Sequence, residues 1–283
     1  MSTLARPPEG ELLPPGATAH SAKGAAMKRA RILAVTSGKG GVGKTFISAN
    51  LAAALAERGE RVLVLDADLG LANLDVVLNL HPKLTLHDVF TGKATLEQAI
   101  LAAPGGFSVL LAGSGLVEYS RLTPQVREQL IDIIGKLAPR FDRILLDTGA
   151  GISDVVLHAI SLADDVLVVA TPEPTSMTDA YATIKVLAML QKRRQIRIVV
   201  NQVSAAGEGR TIRNQLQLVV DRFVAPQLKA EGDGEPLVLE LLGEIASDPA
   251  VREAVQKRSL LLTALPGCPA AQAIAAIATR MTS

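Results

Sequence analysis

Eight consecutive residues, Gly38, Lys39, Gly40, Gly41, Val42, Gly43, Lys44 and Thr45, fit the pattern G-x-x-x-x-G-K-[ST]. Glycines let successive backbone N–H groups turn inward around phosphate oxygens. A helix that starts here adds its positive end. In such a loop Lys44 reaches the β- and γ-phosphates, and the Thr45 hydroxyl joins a Mg²⁺ shell. Two acidic segments could complete the chemistry. Asp66 and Asp68 stand two apart at the end of the apolar run RVLVLD, and Asp147 ends the run RILLD. Ligands of open α/β sheets bind at the carboxyl ends of the strands. Phosphoryl transfer to water needs a magnesium ion and a group that orients the attacking water. Asp147 can hold Mg²⁺ through water, Asp66 can hold a water of the same shell, and Asp68, one step further out, can position the nucleophile. Gly149 and Gly151 follow Asp147 and let the backbone approach a γ-phosphate.

A third position concerns the base. Asn201 ends another apolar run, and its amide offers one donor and one acceptor to an adenine edge. The following Gln202, Val203 and Ser204 do not make the N-K-x-D pattern that would read guanine.

The elements that must hold these residues are legible as a hydrophobic pattern. Short apolar runs predict strands over 32–37, 61–66, 107–112, 143–147, 165–170, 196–202 and 237–245. Amphipathic stretches predict helices over 44–58, 123–138, 153–163, 178–191, 208–223, 248–258 and 269–281. Thr95 to Gln98 is a capping box that opens a further short helix. The alternation implies βαβ units. The expected fold is α/β, a single-domain P-loop NTPase with a mostly parallel twisted sheet and helices on both faces. That domain is expected over 29–283, behind a flexible Pro-rich arm over 1–28 with paired prolines at Pro7–Pro8 and Pro14–Pro15.

Composition narrows the function. Of 283 residues, 48% are hydrophobic but only 2% aromatic, with no Trp, so the core is built of Ala, Val, Ile and Leu. That suits a buried parallel sheet and argues against reading bases by aromatic stacking. A net charge of +1 advertises no polyanion partner. A lone cysteine, Cys268, excludes an intrachain disulfide and an all-cysteine metal or iron–sulfur site within one chain. The arm has no apolar core, so it is no secretory signal, and no run is long enough for a membrane helix. The expected location is the reducing cytoplasm.

Lys39, directly after the first glycine, is not needed by an ordinary phosphate loop. With it, KGGVGKT resembles the deviant phosphate loop of the MinD/ParA ATPases, and the resemblance spans about residues 30–283. It implies a slow, regulatory ATPase that binds ATP and Mg²⁺ and forms an ATP-sandwich homodimer, with Lys39 crossing to the partner's nucleotide. It assigns Lys39, Lys44 and Asp68 to catalysis, and Thr45, Asp66 and Asp147 to the metal. Residues 38–45, Gly151 and Asn201 are assigned to the nucleotide. The segments DADLGLANLD (66–75), DTGAGI (147–152), EPTSMTDAY (173–181) and VREAVQ (251–256) resemble the flagellar branch of the family, FlhG/FleN or YlxH. This implies control of flagellar number and placement. The implied partners are an SRP-type GTPase, a transcription activator or switch proteins.

Two departures stand out. The arm lacks the D-Q-A-x-x-L-R-like segment by which that branch activates its GTPase. The final helix has Ile274, Ile277 and Met281 on one face with only Arg280 charged, so it is expected to pack on the domain and not to insert into membrane. Peripheral association with the inner face of the membrane, as in a MinD-type septum regulator, is the alternative. A ParA-type DNA-partition ATPase is another, but direct DNA binding is not expected. Its candidate basic residues are Lys192, Arg193, Arg194 and Arg197, with Arg210, Arg213 and Arg222 on a helix.

Overall fold

Each Val/Ile/Leu run becomes a strand, and each Ala/Leu-rich stretch becomes a helix that covers it. The structure, a computed structural model, describes residues 29–70, 73–113 and 122–282; the expected arm lies outside the described residues. β1 (Arg31–Ser37) leads through the glycine loop into α1 (Lys44–Ala56) and β2 (Val62–Ala67). Three short helices follow, α2 (Leu74–Leu78), α3 (Leu86–Phe90) and α4 (Leu96–Ala99), then strands β3 (Ile100–Ala102) and β4 (Ser108–Leu110). Beyond α5 (Pro124–Leu137) the chain runs through β5 (Arg143–Ala150), α6 (Asp154–Ser161), β6 (Asp165–Ala170), α7 (Pro174–Leu190) and β7 (Gln195–Val203). It closes with α8 (Glu208–Phe223), α9 (Ala225–Ala230), β8 (Val238–Ala246), α10 (Pro249–Gln256), α11 (Leu261–Ala264) and α12 (Pro269–Thr282).

The eight strands form one sheet in the order β3-β4-β2-β5-β1-β6-β7-β8. Every pairing is parallel except β3–β4. β1 is central, and the chain leaves it toward β2 on one side while later strands build outward on the other. A crevice therefore opens at the carboxyl end of β1, where ligands of such sheets bind. Hydrophobic cores lie on both faces. One is built on α5, α6, α7 and α8, the other on α1, α11 and α12. α1 is buried along nearly its whole length because α12 covers the side that the sheet leaves.

The structure changes some boundaries. α7 was expected to start at 178 but starts at Pro174, four residues earlier. Proline's fixed φ and missing N–H suit the first helical turn, so the proline opens the helix where a loop was expected. β5 runs on to Ala150, past the expected end at 147. The strand expected over 107–112 shrinks to three residues near the sheet edge. The capping box at Thr95 and Gln98 is present. α2, α3, α9, α11 and β3 are too short to impose a period on the sequence.

Ile274, Ile277 and Met281 of α12 are buried against the domain, as expected. No helix among the described residues is long and apolar enough to cross a membrane. The basic cluster after α7 is consumed internally. Lys192 pairs with Glu231 and Arg194 with Asp233, while Arg197 reaches Asp165 and Glu240. Arg193 donates to the carbonyls of Ile160, Ala163 and Asp164.

Candidate nucleotide site

The glycine loop turns at the carboxyl end of β1, and α1 starts at Lys44 with its N-terminus toward the loop. Two glycines are required for identifiable reasons. Gly43, the residue before the helix, has φ 99°, which favours glycine. A side chain on Gly38 would lie 2.1 Å from the Asp179 backbone oxygen, so only glycine lets α7 come this close to the loop.

Lys44 is buried, and its Nζ donates to Ser37 Oγ at 3.0 Å. Ser37 Oγ in turn donates to the Lys39 carbonyl at 2.7 Å, fixing the start of the loop. Burial holds the Lys44 ammonium below its ordinary pKa, while the charges of Asp147 and Asp68 oppose that shift. A lysine desolvated in this way, with carboxylates near, is set for a strong anion.

Asp66 and Asp147 face each other as register partners on β2 and β5. Asp147 accepts from Ser48 at 3.0 Å and from the Thr45 hydroxyl. Its carboxyl is pushed up to about 6, chiefly by burial, with the hydrogen bonds of Thr45 and Ser48 and the charge of Lys44 pulling the other way. Asp66 is held well above the usual carboxylate range by burial first and by Asp147 second. One of its oxygens accepts the Asp68 N–H at 3.2 Å; the other, Oδ2, is buried without a partner. Two buried carboxylates side by side, one with an orphaned oxygen and only Lys44 to offset their charge, make a set of hard oxygen donors. That fits a small divalent cation such as Mg²⁺.

Asp68 lies half-buried beside Gly149, and a side chain on Gly149 would stand 3.4 Å from the Asp68 carboxylate. Asp68, Asp147 and Lys44 thus share one neighbourhood. Gly151, assigned from the sequence to the nucleotide, donates its N–H to the Ser37 carbonyl at 2.8 Å. It ties β5's exit to the base of the loop.

Asn201 is buried and also serves the loop. Its Nδ2 donates to Val42 O at 2.8 Å, and its Oδ1 accepts from the Gln202 N–H at 2.9 Å. One amide hydrogen and one lone pair remain for a base. Beside it a cavity of about 370 Å³ opens between the loop and α10, lined by Gly41, Phe46, Asn201, Ser247, Arg252 and Val255, among others. Asp248 also lines it, but its oxygens are taken by the N–H groups of Ala250 and Ala270.

Lys39 stands apart from this cluster. Its Nζ donates to Glu173 at 2.6 Å and to Thr175 Oγ1 at 2.8 Å, both at the start of α7. Sequence reasoning missed Glu173, Thr175, Ser37 and Ser48. Glu173 opens the block EPTSMTDAY, which carried a resemblance but no chemistry. Ser48 lies one helical turn after Thr45, a spacing that could have flagged it.

The arrangement matches known proteins along most of the chain. Residues 33–261 match the family model described as "CobQ/CobB/MinD/ParA nucleotide binding domain". The antiactivator FleN of Pseudomonas aeruginosa is 41% identical over 257 residues, which is 91% of this chain and 88% of FleN. The flagellum site-determining protein YlxH of Helicobacter pylori is 33% identical over 255 residues, 89% of this chain and 82% of YlxH. Among solved structures, the septum site-determining protein MinD of Pyrococcus horikoshii OT3, complexed with Mg-ADP, superposes with a TM-score of 0.65 at 29% identity. That match covers 89% of this chain and 96% of that one. The family model spans most of the chain and FleN is 41% identical over 91% of it, so this chain belongs to the CobQ/CobB/MinD/ParA nucleotide-binding family.

Proposed function

We propose that this chain is an ATP-driven dimerisation switch that regulates flagellar number and placement. The observation that carries the reading is the division of labour between the two loop lysines. Lys44 is buried among the carboxylates, whereas Lys39 is half-buried and held by Glu173 and Thr175 at the start of α7. A lysine at that place has no use inside its own site but can reach the nucleotide of a second copy laid face to face.

ATP lies along the loop, its phosphates on the backbone N–H groups of residues 38–45 and on Lys44. The base enters the cavity beside Asn201. Thr45, Asp66 and Asp147 are the residues that would hold Mg²⁺. The ion, when bound, neutralises phosphate charge and relieves the two buried acids. Asp68 orients the attacking water over Gly149 and takes the hydrogen bond that aligns it. Gly151, tied to Ser37, links the phosphate side of β5 to the loop. Hydrolysis is slow, because among the described residues no arginine charge acts on Lys44, Asp66 or Asp147 to stabilise the developing charge.

FleN and YlxH, similar over most of this chain, are named for flagellar control. This supports flagellar proteins as the partners of the ATP-bound dimer. A septum role on the membrane is less well supported, because the apolar face of α12 is occupied by α1 and β8.

Light scattering with ATP and Mg²⁺ tests the switch. Wild type should dimerise transiently and Asp68→Ala should stay dimeric, since it binds ATP without consuming it. If both remain monomers, the switch is wrong. The trapped Asp68→Ala dimer used as bait in cell extract should recover flagellar proteins; recovery of division proteins alone would shift the reading to the septum.

A further inference from the structure

We propose that the outer edge of β8, between α8 and α12, is a docking groove for an acidic, extended segment of a partner protein. This site lies outside the nucleotide pocket and goes beyond the switch described above.

Among the described residues β8 is the last strand of the sheet. α8 runs antiparallel along it. Gln217 of α8 meets the start of β8, donating to the Leu237 carbonyl and accepting the Leu239 N–H, both at 2.8 Å. Ten residues earlier, Gly207 meets the end of the strand by donating to Glu244 at 2.7 Å. α12 flanks the other side, where Arg280 donates to the Leu242 carbonyl at 2.6 Å. Gln217 and Arg280 thus satisfy main-chain groups of the edge, so recognition here rests on side chains.

Two cavities of about 250 and 210 Å³ lie along this edge and share Glu244 and Ala273. The larger is lined on the α12 side by Ala273, Ala276 and Ile277 with Arg280 beside them, and on the α8 side by Arg210; the smaller is lined by small apolar residues such as Ala205, Ala246 and Ala273. Arg210, Arg213 and Gln217 are spaced i, i+3 and i+7, which puts them on one helix face. Arg210 lines the larger cavity, and Arg213 follows it one turn later on the same helix. Arg210 and Arg213 form no ion pair with any described residue, and Arg213 Nε is buried without a partner. This contrasts with the cluster at 192–197, which is internally paired. Glu244 is the one acid in the groove, and both its oxygens accept N–H groups of Gly207 and Gly209. Unpaired guanidiniums beside a narrow apolar wall suit alternating carboxylates and small apolar side chains. Duplex DNA presents no apolar side chains for that wall and needs a broader basic surface.

The test uses the full chain and fluorescein-labelled peptides of about ten residues that alternate Glu with Val, or Lys with Val, so that each kind of side chain lines one face. The Glu peptide should raise anisotropy saturably and lose affinity steeply with salt. Exposed Arg210→Glu should weaken it about tenfold or more, and Arg213→Gln likewise, as for interfacial charge pairs. ADP affinity of both variants should stay at the wild-type value, which separates this surface from the nucleotide site. Equal binding of the two peptides, insensitivity to Arg210→Glu, or no binding up to about 1 mM would overturn the proposal. So would duplex DNA binding with the same arginine dependence while the Glu peptide fails.

Discussion

Asp66 and Asp147 stand side by side as register partners on β2 and β5, and both carboxylates are buried at the mouth of the phosphate loop. Without a cation this pair costs stability, since burial and the neighbouring carboxyl disfavour the ionisation that water favours in the unfolded chain. Asp66→Asn removes the ionisable group at nearly constant volume. In the absence of divalent metal the variant should melt about 2–4 °C higher than wild type, on the order of 1 kcal/mol. The further rise that Mg²⁺ and ADP give the wild type should shrink. Differential scanning fluorimetry with and without Mg²⁺ checks both, and a lower melting temperature of the metal-free variant would contradict the account.

Lys39 pairs with Glu173 at the surface, and such pairs contribute about 0–1 kcal/mol. Lys39→Ala should therefore leave thermal stability nearly unchanged and retain ATP binding. Its expected defect is the loss of the ATP-dependent dimer. Light scattering beside a nucleotide-binding assay separates the two effects; a variant that dimerises normally would remove Lys39 from the interface.

Asn201 holds the loop at Val42, and the space over Gly43 is filled by its amide, 2.5 Å from where a Cβ would stand. Asn201→Ala orphans the Val42 carbonyl, a loss of about 1–3 kcal/mol. Gly43→Ala adds both that collision and a left-handed backbone strain. Both variants should lose ADP affinity by about tenfold or more, measured by calorimetry, with lowered urea midpoints. Unchanged ADP affinity in Asn201→Ala would place the base elsewhere.

His158 carries a pH signature. Burial pulls its imidazole below the usual value, only partly offset by the Arg127 carbonyl 3.4 Å from Nε2. The unfolded chain then takes up the proton first as pH falls. Stability from this group is present above the unfolded pKa of about 6.5 and is lost as pH drops below it. The urea midpoint of wild type should fall more than that of His158→Gln between pH 7.5 and 5.5; groups titrating alike in both cancel in the comparison. Parallel curves would rule the effect out.

Much of the site was legible because its chemistry is local. The loop Gly38–Thr45, the acids at strand ends and Asn201 each declare themselves by residue type beside an apolar run. Five elements stayed invisible because three to six residues cannot show a period. The start of α7 is ambiguous in the sequence because Pro174 reads equally as a loop and as a first turn. Glu173 and Ser37 were missed because neither has a signature of its own: each matters only through what lies opposite it.

From the chain alone came the parallel nucleotide-binding sheet, the phosphate loop, the acids suited to Mg²⁺ and the packing face of α12. These follow from periodicity and from side-chain chemistry carried within a few residues. Tertiary structure decided which groups meet. It brought Asp66 onto Asp147 through strand register, gave Lys39 to Glu173, gave Asn201 to Val42, and tied the cluster at 192–197 to acids and carbonyls while leaving Arg210 and Arg213 of α8 without an ion pair. Those outcomes depend on distances between residues tens to more than a hundred positions apart in sequence, which only the closing of the sheet and the seating of its helices determine.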